Sequence, residues 1–81
     1  MTEDQFLYAR VLRDKMSDIQ TEITNWTNST RFDTKTIKLR TEEGIAIEVL
    51  SENIDFNWIK DSAIKSLNDT LGRFKNEFES L

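Results

Sequence analysis

Apolar residues first fall at Ala9, Leu12, Met16, Ile19, Ile23 and Trp26. The spacings alternate between three and four, which is the seam of a coiled coil or helical hairpin. No Gly or Pro interrupts the run. Just before it, Thr2 and Gln5 stand in the order of a capping box, where the hydroxyl and the amide side chain satisfy each other's backbone N–H. The pattern predicts a helix from about Thr2 to about Asn28. It weakens toward its end, because Asn25, Thr27, Asn28, Ser29 and Thr30 compete for backbone hydrogen bonds.

The period then changes from 3.6 to 2. Within Thr34–Arg40, Ile37 and Leu39 alternate with Thr36, Lys38 and Arg40; within Ile45–Leu50, Ile45, Ile47 and Val49 share one side. Both segments read as strands with one buried face. Glu42-Glu43-Gly44 between them suits a three-residue hairpin loop with Gly in the left-handed position. That loop sets Leu39 opposite Ile47, Ile37 opposite Val49 and Lys38 opposite Glu48. A slip of one residue would mix the faces, so the alternation supports the register independently.

A second helical pattern follows through Phe56, Ile59, Ala63, Ile64, Leu67, Leu71, Phe74, Phe78 and Leu81, with Ser51, Asn53 or Asp55 available as its cap. It predicts a helix from about Asp55 to about Ser80. Gly72 inside it costs about 1 kcal/mol relative to Ala. The expected fold is therefore α+β: a single domain over residues 1–81, built as long helix, two-stranded antiparallel hairpin, long helix. Helices of this length are about 39 Å long, while a compact chain of 81 residues has a radius of gyration of about 12 Å. Two full seams and a third apolar face are more than so small a chain covers alone. The expectation is a homo-oligomer, with a two-fold dimer as the default symmetry.

Composition narrows the chemistry. The chain has no Cys and no His. That removes disulfides, zinc–thiolate sites, Cys or Ser nucleophiles activated by His, and the commonest general base. Two glycines cannot form a phosphate-cradling loop. The expectation is a non-enzymatic protein with no catalytic residues and no cofactor. Glu42, Glu43 and Glu48 are the one conceivable carboxylate metal site, and a solvated hairpin edge is the expected reading there. The start is polar and acidic rather than a basic-then-apolar signal, and no run approaches a bilayer span. These features predict a cytoplasmic protein without a membrane partner.

The net charge is −4, which argues against direct nucleic-acid binding. Its distribution is uneven. Residues 31–41 carry Arg31, Lys35, Lys38 and Arg40 against Asp33, whereas residues 42–55 carry only acids: Glu42, Glu43, Glu48, Glu52 and Asp55. The basic stretch interrupts the negative surface that a DNA mimic would need. It lies close to Trp26 and Phe32, and guanidinium groups beside an indole suit an anionic planar ligand such as a nucleotide. Trp26, Arg31, Lys38 and Arg40 are the candidate ligand residues, with Tyr8 and Arg10 as outside candidates. The plainer alternative pairs Lys38 with Glu48, leaves Arg40 solvated and makes Trp26 the last seam residue. Trp58 reads as a core edge or interface anchor.

The run from Phe6 through Ala9-Arg10-Val11-Leu12-Arg13-Asp14-Lys15-Met16 to Ile19, then a short hairpin, then a closing helix ending Phe74 to Leu81, resembles a class of small phage and prophage proteins. In outline it is similar to oligomeric phage anti-defence proteins. Some of those sequester nucleotide second messengers between subunits, and others block host proteins. The resemblance implies a binding module in a host cytoplasm that holds an anionic small molecule or occludes a host protein. It assigns no binding residue. The rival expectation is a coiled-coil-like scaffold subunit without a small-molecule ligand, in which only seam changes such as Ile19→Asp or Leu71→Asp matter.

Overall fold

Thr2 opens the first helix. In the computed structural model, which describes residues 2–81, its hydroxyl accepts from the Gln5 N–H at 3.1 Å. Its own N–H donates to Gln5 Oε1 at 2.9 Å, completing the capping box. Helix α1 runs Glu3–Asn28. The Thr-rich end stays helical: Thr21, Thr24 and Thr27 turn their hydroxyls back onto carbonyls four residues earlier, which leaves the main-chain ladder intact. Strand β1 spans Thr36–Arg40 and β2 spans Ala46–Leu50. A short 3₁₀ turn, Ser51–Asn53, follows β2. Helix α2 runs Phe56–Glu79, with Asp55 as its cap accepting from the N–H of Asn57 and Trp58.

The hairpin register is the expected one: Ile37 faces Val49, Lys38 faces Glu48 and Leu39 faces Ile47. Gly44 adopts φ +84°, the left-handed conformation that glycine reaches without steric cost. Its N–H donates to Thr41 O at 2.9 Å, closing the turn. At the open end, Ser51 donates from its N–H to Lys35 O and from its hydroxyl to Thr34 O, so the 3₁₀ turn ties off the hairpin where it meets the helices.

The two helices lie antiparallel. The Tyr8 hydroxyl reaches Glu77 at one end, and Lys60 reaches Ser29 at the other. Their shared seam buries Ala9, Leu12 and Ile19, of which Leu12 alone is fully enclosed. Along α2 the whole apolar stripe from Phe56 to Phe78 is only half-buried. The molecule measures 50 × 32 × 16 Å, with a radius of gyration of 16.9 Å. Since one helix with side chains is about 10–12 Å across, the thin dimension holds little more than a single layer. Most domains bury their apolar faces between two layers. Here one layer is present.

The expected buried face of the hairpin is corrected by the structure. Leu39, Ile45 and Ile47 are exposed, while Ile37 and Val49 nearest the helices are half-buried. The hairpin packs mainly on itself and only slightly against the helical pair, so beyond Ile37 and Val49 its apolar side is left uncovered. Trp58 is exposed as well.

Gly72 sits in the exposed interior of α2, and a Cβ built there meets nothing within 4 Å. Gly72→Ala should therefore raise stability by about 1 kcal/mol, or about 4–8 °C in Tm. Chemical denaturation of the variant checks this. An unchanged midpoint would mean that α2 is not helical at this position in solution.

Candidate functional site

Hollows on the surface of the described residues include three that bear on function. The first lies at the elbow where α1 ends and α2 begins. Helix α1 stops at Ser29, whose hydroxyl donates to Trp26 O at 2.6 Å. Lys60, from the second turn of α2, donates to Ser29 O at 2.9 Å. The last turn of α1 has no basic residue of its own, so Lys60 supplies the positive charge that a helix C-terminus favours. This bond brings the two helix ends together and packs their aromatic residues. The Trp26 and Phe56 rings are stacked 6.1 Å apart, and Phe32 sets its edge on Phe56 at 4.9 Å. Beside them opens a hollow of about 280 Å³ lined by Trp26, Arg31, Phe32, Asp33 and Phe56, with Asn25 and Ser29.

Trp26 and Arg31 are thus brought together, as the ligand reading requires. The indole is half-buried against Phe56 and serves first as part of the elbow's packing. Arg31 is exposed at the rim and can offer its planar fork of donors to a phosphate or carboxylate. Asp33 on the same rim opposes that charge.

The other four candidates lie elsewhere. Lys38 stands across from Glu48 on the polar side of the hairpin. Arg40 donates from Nη1 to Gly44 O at 2.8 Å and so braces the turn. Tyr8 and Arg10 are at the far end of the helical pair, about 27 Å and 24 Å along α1 from Trp26. The Tyr8 hydroxyl donates to Glu77 Oε2 at 2.9 Å. That hydrogen bond, with some burial and the carboxylate's charge, holds the phenol above its ordinary value of 10.0. Arg10 lines a second hollow of about 340 Å³ with Phe6, Ala9, Arg13 and Phe78. The guanidinium of Arg13 lies 5.8 Å from the Phe78 ring centre. Within one chain, the six candidate residues therefore occupy three separate places.

The third hollow is an open groove of about 880 Å³ along one side of the helical pair. Met16, Leu71 and Phe78 form its floor, and its rims are Ser17, Gln20, Thr21, Thr24, Asn25, Lys75 and Glu79. Sequence reasoning did not find the groove, the Lys60–Ser29 bond or the Tyr8–Glu77 bond. Only Lys60 left a signal: it is a charge set beside Ile59 on the apolar stripe of α2.

Chemically, these surfaces can bind, stack and form hydrogen bonds. Among the described residues no group of three Asp or Glu side chains is placed to hold a metal ion. Among the described residues, no helix is long and apolar enough to cross a membrane. No protein-family model, curated protein or solved structure matches the chain.

Proposed function

We propose that this protein is a non-enzymatic binding module that works as an assembly of identical chains. One observation carries the reading: the described chain exposes 6761 Å². A compact monomer of 9.5 kDa exposes only about 5,000 Å². The excess of about 1,700 Å² exceeds the roughly 800 Å² that each partner loses in a standard protein interface. Much of the exposed surface is apolar, including Phe6, Leu7, Val11, Leu39, Ile45, Ile47 and Trp58. Burying such surface is favourable at about 25 cal/mol per Å², and a copy of the same chain is the partner always present.

A cargo is the second reading, favoured by Arg31 at the rim of the aromatic elbow. In it the assembly sequesters a nucleotide-like anion between copies, the role implied by the likeness to small phage anti-defence proteins. Lys38, Arg40, Tyr8 and Arg10 then meet Arg31 only across a subunit boundary. Covering a host protein is the macromolecular version of the same role. A scaffold subunit without cargo is the version in which Arg31 does nothing.

Native mass spectrometry of protein purified from cells tests both readings together. The expected species is a multiple of 9.5 kDa, and a stoichiometric small adduct identifies a cargo. Arg31→Ala should remove that adduct and leave the multimer intact. A bare 9.5 kDa monomer defeats the proposal. Retention of the adduct by Arg31→Ala defeats the assignment of Arg31.

A further inference from the structure

We infer that the hollow between the start of α1 and the end of α2 is a binding site for a small amphiphilic anion, a single acidic head on an apolar body. Phe6, Ala9, Arg10, Arg13 and Phe78 line it. The charges select the head. The elbow sets Asp33 against Arg31, and the groove sets Glu79 against Lys75. Of the three hollows, only this one carries lining charges of a single sign, both of them guanidinium groups. Arg10 and Arg13 are three residues apart and so share one side of α1. Each offers a planar fork of donors that matches the oxygens of a carboxylate or phosphate. Among the described residues no carboxylate lines the hollow. The nearby Glu77 instead accepts from the Tyr8 hydroxyl at 2.9 Å. That bond ties the start of α1 to the end of α2 and holds the adjacent Phe78 as the far wall. The Arg13 guanidinium lies 5.8 Å from the Phe78 ring centre, a contact that orients the cation and leaves its charge in place.

The rest of the lining selects the body. Ala9 is buried and forms the floor, while Phe6 and Phe78 supply aromatic walls. Apart from the two guanidinium groups no polar side chain lines the hollow, and a guanidinium only donates. A ligand carrying a sugar or a nucleobase would bury donors that find no acceptor, at a cost in free energy. The ligand therefore has no polar group besides its head, which separates this site from the nucleotide-like cargo of the elbow. At about 340 Å³ the hollow stands at the small end of ligand pockets, which span about 300–1,000 Å³. The site is complete within one chain, so the inference goes beyond the assembly reading and does not depend on it.

An NMR titration of the full chain with phenylbutyrate, a carboxylate on an aromatic and aliphatic body, tests the site. Saturable shifts are expected at the amides of residues 6–13 and around Phe78. Phenylbutanol has the same body without the charge and should bind at least about tenfold more weakly. Inorganic phosphate has a head without a body and should also bind at least about tenfold more weakly. Arg10→Gln with Arg13→Gln keeps much of the apolar stems and should weaken phenylbutyrate binding by at least about tenfold. Its far-UV circular dichroism should match the wild type, which separates a lost site from a lost fold. Arg31→Ala should bind the probe as the wild type does. No saturable shift at millimolar phenylbutyrate overturns the inference. So does undiminished binding by the double glutamine variant, equal binding of phenylbutanol or phosphate, or shifts centred on the elbow. A chain that binds the probe as a monomer upholds this site while defeating the assembly reading, so the two failures are distinguishable.

Discussion

Leu12→Ala should cost about 3–5 kcal/mol and leave the chain largely unfolded at 37 °C. Among the described residues, Leu12 is the only large side chain that is completely enclosed. Truncating such a residue removes its transfer free energy and leaves a cavity that neighbours fill only partly. A chain of this size has a total stability of about 4–12 kcal/mol, and a small core belongs at the lower end. The loss converts to a drop of more than about 12 °C in Tm. Thermal unfolding followed by circular dichroism reads it directly. A cost below about 1 kcal/mol would mean that the Ala9–Leu12–Ile19 seam is not the core, and that the helical pair is packed differently in solution.

Dilution should lower the Tm as well. If folding is completed by association, the unfolded chains gain entropy on separation and the midpoint depends on concentration. With an unfolding enthalpy of about 0.7 kcal/mol per residue for a dimer of this chain, each tenfold dilution lowers Tm by about 4 °C. A folded monomer shows no such slope. Differential scanning calorimetry over two decades of concentration separates the two cases. The expected effect is about 8 °C across that range, against none for a monomer.

The elements were legible because independent signals agreed at each of them. At the hairpin, Gly44 fixed the turn and the alternation of Ile37, Leu39, Ile47 and Val49 fixed the faces, and both required the same register. At the helix starts, Thr2 and Asp55 are residues whose side chains can accept the first free N–H groups. The element ends differ from the expected ones by up to two residues. The caps lie just outside the helices they start, and Thr34 and Lys35 bond to Ser51 at the base of the hairpin rather than pairing as strand.

The direction of the hairpin was not legible. Its alternation says that one face is apolar and not whether the chain itself covers that face. Ser29 to Lys35 set the swing, and they contain no Gly or Pro that would mark a turn type. The candidate site was read in part for the same reason. Trp26 and Arg31 meet because both sit at the elbow, only five residues apart. Lys38 and Arg40 were grouped with them by sequence proximity, and the hairpin carries them away. Tyr8 and Arg10 belong to the opposite end of an antiparallel pair. No pattern within α1 announces that Tyr8 will find Glu77 sixty-nine residues later.

Small-angle X-ray scattering on a dilution series tests the central claim most directly, because it returns mass and shape from one sample. The expected forward-scattering mass is at least twice 9.5 kDa, falling toward the monomer's 9.5 kDa only on strong dilution. A mass of 9.5 kDa at every concentration, with a radius of gyration near the chain's own 16.9 Å, would contradict it.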